Sequence, residues 1–359
     1  MARPTSATIH TDALRHNLGQ LRARAPGSRV MAVVKADGYG HGLERVARAL
    51  GGADAFGVAA LSDAERLRAA GISQPILLLS GFDDPADIAR MRQLNVDTAV
   101  HHESQLQMLE QADAGEPVRC WLKVDSGMHR LGFAPERVRE AHARLVALRG
   151  AVTGDVVLMN HFASSDEFDR PQTREQMQVF ADATAGLAGE RSLANSAAVL
   201  GWPDAHADWV RPGGALYGMS VVSGSTGADF DLRPAMTLAT RLIAVNRVRR
   251  GGCIGYAGTW ACPEDMDVGV AAIGYGDGYP RAAPAGTPVL VDGVPTQVIG
   301  RVSMDLMTVD LRGVPAARVG SAVTLWGPDL PVERIADAAG TISYELTCSI
   351  TRRVRFVES

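Results

Sequence analysis

The chain has 359 residues, with 36 Lys+Arg against 40 Asp+Glu and a formal net charge of −4; 46% of residues are hydrophobic and 21% charged. That balance excludes a disordered chain, and the length points to about two domains with sizeable cores. A slightly acidic total without a run of Lys/Arg argues against a nucleic-acid binder that depends on a basic field.

No stretch approaches the roughly 18 apolar residues of a membrane span. The opening MARPTSATIHTDALRHN lacks the apolar segment of a secretory signal. Four scattered cysteines, Cys120, Cys253, Cys262 and Cys348, form no CxxC pair, so neither a disulfide framework nor a zinc site is expected and a reducing, cytoplasmic setting is the default. The 38 glycines have no collagen-like period and predict many tight turns.

Along the first two-thirds of the chain, short apolar runs alternate with helix-period segments. The runs are VMAVV (from Val30), AFGVAA (Ala55), PILLLS (Pro75), VDTAV (Val96), VRCWLKV (Val118), DVVLMN (Asp155), SLANS (Ser192) and WVRPGG (Trp209). Between them, Leu43, Val46, Ala47 and Leu50 form a helical stripe that ends at Gly51-Gly52. Ser62 and Glu65 have the spacing of a capping box, with Gly71 closing that helix. Eight such units predict parallel strands buried on both faces, either in a (β/α)8 barrel or in an open doubly wound sheet. Eight units within about 220 residues favour the barrel. Near Val221 the stretch VVSGSTGADFDLRP reads as a linker, and beyond it short strand-like runs are cut by Gly and Pro. The expectation is a barrel over residues 1–230 and a mainly β domain over 231–359.

Barrel enzymes carry their working residues at the C-terminal ends of the strands. The residues there are Lys35 and Tyr39, Asp125 with Arg130, Asn160 and His161, Asn195 and Ser196, and Arg211 with Gly213 and Gly214. A lone lysine after a strand is usually only a charged strand end. At a barrel mouth, however, partial desolvation lowers the pKa of an ammonium and frees an amine for a Schiff base. Gly38, Gly40 and Gly42 let the backbone pass close to a flat ligand, and their spacing fits neither a dinucleotide fingerprint nor a P-loop. Ser196 and Gly213-Gly214 follow the seventh and eighth runs, where barrels often hold phosphate. A Schiff-base lysine with a phosphate cradle points to pyridoxal phosphate. Arg211 is then a candidate to face the pyridine nitrogen. No metal is expected: His101-His102-Glu103 lacks a third ligand at fitting spacing and reads as a helix start. Cys253 reads as a small packed residue.

AVVKADGYGHG at 32–42 closely resembles the cofactor-binding signature of alanine racemases, fold-type III pyridoxal-phosphate enzymes. The similarity continues through LKVDSGMHRLGF (122–133), NHFASSD (160–166), ANSAA (194–198), RPGGALYG (211–218), GYAGTW (255–260), GYGDGYPR (274–281) and GRVSMDLMTVD (300–310). The resemblance implies that Lys35 holds the cofactor, and that Lys35 and Tyr256 are the two acid/base groups on opposite faces of the substrate adduct. It places Arg211 on the pyridine nitrogen, with Tyr39, Asn195, Ser196, Gly213, Gly214 and Tyr344 among the groups around the cofactor and its phosphate. Arg130 is implied to bond the ring phenolic oxygen and to serve the substrate, and His161 to support Arg211. Lys123 matches a lysine that is carbamylated in some members. Met304 and Asp305 match substrate-carboxylate contacts, with Tyr275 at the entrance, and Ser303 stands where some members carry another small residue.

The implied assembly is a head-to-tail homodimer in which Tyr256, Met304 and Asp305 complete the partner's site. The implied reaction interconverts L- and D-alanine, for peptidoglycan precursors or alanine catabolism. The competing readings are a broader-specificity amino-acid racemase, a non-catalytic pyridoxal-phosphate carrier and an amino-acid decarboxylase; the last places a carboxylate where this chain has Arg211.

Overall fold

The computed structural model describes residues 3–113 and 115–359. It divides into two compact units. One comprises Arg15–Leu216 with Val221–Gly224, and the other joins the N-terminal segment through Leu14 to Tyr217–Ser220 and Ser225–Ser359.

The first unit is a closed parallel barrel. Its strands are β2 (Arg29–Val33), β3 (Ala55–Val58), β4 (Ile76–Leu78), β5 (Val96–Val100), β6 (Cys120–Lys123), β7 (Val157–Met159), β8 (Arg191–Ser192) and β9 (Trp209–Val210). Each of the eight apolar runs supplies one strand, and β2 pairs with β9 through Arg29↔Trp209 and Val30↔Val210 to close the ring. The open doubly wound alternative is thereby excluded. The interior is filled by Met31, Ala55, Leu77, Ala99, Trp121, Val157, Met159 and Trp209, so the barrel is a packed core rather than a pore.

Two local expectations can be compared with the helices. Leu43, Val46 and Ala47 face the core of the helix Leu43–Ala49, with Leu50 at its C-cap. The helix at Leu61–Ala69 starts two residues earlier than the Ser62/Glu65 pattern predicts. Ala60 is its N-cap, with no side-chain capping bond. Ser62 thus lies inside the first turn, where its hydroxyl cannot cap. Gly71, at φ +82°, follows the helix as expected.

The second unit is an eight-stranded sheet. In the order of pairing it runs β13 (Met266–Ala271), β16 (Met307–Asp310), β15 (Val294–Ile299), β14 (Pro288–Val291), β17 (Ala322–Trp326), β10 (Met236–Val248), β1 (Ser6–Ile9) and β18 (Arg355–Glu358). β10 also pairs with β13, so the ladder returns on itself. β1 is antiparallel to β10 and parallel to β18, which ties both chain ends into this sheet. The short ribbon β11 (Cys253–Ile254) and β12 (Trp260–Ala261) lies outside it.

At the N-terminal end of the barrel strands, Trp121 Nε1 donates to Asp97 Oδ2 at 3.0 Å. Trp121 packs on Trp209 with ring centroids 5.5 Å apart, and the Arg29 guanidinium lies 4.1 Å over the Trp209 ring. Burial pushes the Asp97 carboxyl up from 3.8 to about 6. The folded state therefore holds that proton more tightly than the unfolded chain. Asp97's contribution to stability is greatest below pH 4 and is lost as pH rises through about 6. Asn accepts the same tryptophan hydrogen bond and never ionises. Asp97→Asn is therefore expected to raise the melting temperature at pH 8 by about 2–4 °C and to leave it nearly unchanged at pH 4. Equal shifts at both pH values would contradict this account.

Candidate active site

Lys35 follows β2 and opens an unusual segment. Ala36, Asp37, Gly38 and Tyr39 have φ of 53°, 54°, 63° and 51°, so the chain makes one left-handed turn before Gly40 at φ 77°. Gly40 N donates to Ala36 O at 3.0 Å, and Gly42 N to Asp37 O at 2.8 Å. Three residues of this turn carry a Cβ, and each costs of order 1 kcal/mol in the left-handed region. The surroundings hold it in place. Asp37 Oδ1 accepts from Leu43 N (3.1 Å) and from Arg66 (2.7 Å), whose guanidinium also grips Glu44. A Cβ on Gly38 would come within 2.9 Å of Val46 Cγ2. Gly38 is thus required by the space beside Val46, and Gly40 and Gly42 continue the positive φ of the turn. Lys35 is exposed, so the desolvation expected for it is not supplied by this chain's barrel alone.

At the ends of the neighbouring strands, cations accumulate. Lys123 closes β6 and is buried, and no side chain among the described residues hydrogen-bonds its amine. Burial, then the charges of Arg211, Arg130 and Lys35, push its pKa down to about 8. His161 feels burial first, then Arg211, Lys123, Arg130 and Lys35, and is held well below its ordinary pKa, hence neutral. Asp125, the nearby carboxylate, spends Oδ1 on the backbone N–H groups of Gly127, Met128 and His129. The mouth is therefore left with a surplus of positive charge.

Arg211, at the end of β9, is buried and held by polar groups. Nη1 donates to Ser192 O (2.8 Å) and Ser192 Oγ (2.6 Å), and Nη2 to Asn160 O (2.6 Å). Burial pushes its pKa down to about 10, so it stays protonated at neutral pH. Its supports are Ser192 and Asn160, and it gives no hydrogen bond to His161 among the described residues. No motif marks Ser192, which looks like any small residue in a strand; the signal would have been an inward-facing position one strand from a buried arginine. Asn160 Nδ2 donates to Ser126 Oγ at 3.0 Å, while its Oδ1 is buried without a partner.

Ser196 Oγ accepts from Gly213 N (2.8 Å) and Ala215 N (3.3 Å). Asn195 Oδ1 caps the following turn through Ala198 N and accepts from Ser165 Oγ. A Cβ on Gly213 would lie 2.4 Å from Tyr39 Oη. The barrel thus gathers Tyr39, Ser196 and Gly213, with Gly214 next along the chain, at one place. His102 accepts from Ser104 N and caps a helix, in keeping with its reading as a helix start.

The remaining candidates belong to the second unit and are described within it. Tyr256 sits in a turn from Gly255 to Gly258 and is 72% exposed. Tyr275 N donates to Ser303 O (3.0 Å) and Gly276 N to Met304 O (2.8 Å), which stitches two candidate loops together. Met304 is 53% exposed, the Asp305 carboxylate pairs with Arg353, and Tyr344 is half-buried in the helix Ser343–Cys348. Cys253 is exposed rather than packed, because the ribbon it belongs to lies outside the main sheet.

The left-handed turn has a direct test. Gly38→Ala forces a Cβ into both a left-handed φ and Val46, and is expected to lower the melting temperature by about 2–6 °C. An unchanged melting temperature would mean that the turn relaxes freely.

Among the described residues, no helix is long and apolar enough to cross a membrane, and no group of three His, Cys, Asp or Glu side chains is arranged to hold a metal. The domain family described as "Alanine racemase, N-terminal domain" matches residues 9–221, and "Alanine racemase, C-terminal domain" matches residues 235–358. An alanine racemase of Shewanella loihica is 52% identical over 348 residues, covering 97% of each chain. One from Vibrio cholerae is 50% identical over 352 residues, covering 98% of this chain and 97% of that one. Among solved structures, the biosynthetic alanine racemase from Pseudomonas aeruginosa is similar with a TM-score of 0.97 at 44% identity, covering 99% of both chains. Matches of this identity along nearly the whole chain show that it belongs to the alanine racemase family.

Proposed function

We propose that the chain interconverts L- and D-alanine, with pyridoxal 5′-phosphate held at the barrel mouth and Lys35 and Tyr256 as the two acid/base groups. The observation that carries this reading is the surplus of positive charge contributed by Lys35, Lys123, Arg130 and Arg211. Beside it lies a small cradle where Gly213 leaves no room for a Cβ next to Tyr39. An anionic, phosphate-bearing ring fits that donor set. In this reading Tyr39, Asn195, Ser196, Gly213, Gly214 and Tyr344 serve the cofactor and its phosphate, and Arg130 the phenolic oxygen. When bound, pyridoxal phosphate supplies an electron sink that acidifies the substrate Cα–H.

Inversion requires a proton to leave one face of Cα and another to arrive on the opposite face. The Lys35 amine serves one face and the Tyr256 phenol the other, each best matched when its pKa is drawn toward the working pH. Arg211 would hold the ring nitrogen of the cofactor as a guanidinium that keeps its proton. Its bonds to Ser192 and Asn160 fix its orientation. Met304, Asp305 and Tyr275 serve the substrate side.

Lys35 and Tyr256 belong to different units. The exposure of Tyr256 supports a homodimer in which Tyr256 of the partner subunit completes each site. Lys35→Ala and Tyr256→Phe chains are each expected to be inactive. Mixed after dissociation, they are expected to recover about a quarter of wild-type activity, because half the dimers then carry one intact site. Tyr256→Phe alone is expected to keep Cα-hydrogen exchange in D₂O for one enantiomer only, the other falling by about 10²–10⁴-fold. No recovery on mixing, or equal exchange of both enantiomers, would rule this arrangement out.

Lys123 is proposed to carry a carbamate. Its amine, lowered to about 8 and not hydrogen-bonded by any side chain among the described residues, attacks carbon dioxide as the neutral base; an N–C bond forms and a proton is lost. The resulting anion offsets the charges of Arg130 and Arg211. Lys123→Ala is expected to lower kcat about tenfold, with short carboxylates such as acetate restoring most of it. Wild-type kcat in that variant would remove the role.

A further inference from the structure

Asp277 lies in the loop after β13, and its side chain is completely buried. Oδ2 accepts from Arg3 Nη2 at 2.7 Å and from Gly274 N at 3.1 Å, while Oδ1 faces Arg353 Nε at 3.3 Å. The same arginines reach a second segment. Arg3 Nη2 also donates to Asp305 O (2.8 Å) and Ala272 O (3.1 Å), and Arg353 Nη2 pairs with the Asp305 carboxylate. Two guanidiniums and two carboxylates therefore form one charge-balanced cluster joining the N-terminus, the loop 272–279, the loop 303–306 and the loop before β18. The backbone continues the seam. Thr351 N donates to Asp277 O (3.1 Å) and Thr351 Oγ1 to Gly276 O (3.0 Å). A Cβ on Gly274 would fall 2.2 Å from Ser303 O, so the two loops abut without a side chain between them.

Both loops end in exposed groups, Tyr275 on one and Met304 with Asp305 on the other. Ile273 and Tyr279 anchor the first loop in the core, and the ionic cluster ties it to the second loop and fixes the backbone that presents these side chains. The Asp277 carboxylate is answered by two arginines, so losing one still leaves its charge compensated by the other, whereas this buried cluster cannot lose the carboxylate without stranding both guanidiniums. It thereby selects one arrangement of the four segments.

We propose that Arg3 and Arg353, acting through Asp277, are positioning residues for the substrate-facing loops, so that the N-terminal arginine and the arginine before β18 set the affinity for alanine without touching it. This rests on the reading of Tyr275, Met304 and Asp305 as substrate-side groups. The arginines are partly exposed, at 31% and 36% of their side chains. Truncating either one therefore costs little global stability, whereas Asp277→Asn risks the fold.

The test compares Arg3→Met, Arg353→Met and Arg3→Lys in the full, cofactor-loaded enzyme. The expected result for the methionine variants is a KM for L- and D-alanine raised about tenfold, with kcat changed less than about threefold. The melting temperature and the visible absorption of the bound cofactor are expected to stay at wild-type values, and Arg3→Lys to restore most of the affinity. Because racemisation has an equilibrium constant of one, kcat/KM must fall by the same factor in both directions, which checks the measurement internally. Wild-type KM in stable Arg3→Met and Arg353→Met enzymes overturns the proposal. So does a KM rise that appears only together with a fallen melting temperature and that lysine does not rescue. If Arg3→Met does not fold, Arg353→Met and Arg3→Lys decide by the same criteria. A wild-type enzyme that fails to racemise alanine would instead strike at the functional reading.

Discussion

Like charges gathered in a small space repel, and the barrel gathers them anyway. Lys35, Lys123, Arg130 and Arg211 are brought together because closing eight parallel strands sends every strand end to the same rim. A surface would dilute such a group with water and counter-ions. At this rim the nearby carboxylate of Asp125 is already engaged by three backbone N–H groups. The repulsion appears as a lysine lowered to about 8 and a histidine kept neutral. A site of that kind is stabilised by an anion, and its readiness to take one is a property of the fold before any ligand arrives.

The second constraint is conformational. The barrel floor is built from ordinary packing, with Trp121 and Trp209 filling it. At the other end, the segment after Lys35 adopts a left-handed turn that no isolated peptide would favour. It persists because Asp37 is bonded from two directions and because Gly38 fits against Val46. Strain in the residues that follow Lys35, offset by well-made structure around them, fixes where the lysine leaves the strand. The ionic cluster at Asp277 does the same for the second unit with charge instead of backbone strain.

Much of this was legible beforehand. The eight apolar runs, the lysine after the first of them and the arginine after the last are local features, and periodicity and spacing report local features well. Arg211 could be named from its place after WVRPGG, but its hold on Ser192 and Asn160 joins three strands whose separation in sequence carries no signal. The Ser62/Glu65 spacing misled for the converse reason: a cap depends on the residue at which the backbone leaves the helix, and here that is Ala60.

By itself the amino-acid order determined which segments are strands, which residues end them and that a lysine follows the first of them with glycines close by, because each of these follows from neighbours a few positions apart. Tertiary structure alone decided that β1 joins β10 and β18, that Lys123 is buried among cations, that the chain turns left-handed after Lys35 and that Arg3 meets Asp277. Those outcomes depend on groups far apart in the chain being enclosed together, where lost hydration makes charge and hydrogen bonding strong enough to choose one arrangement.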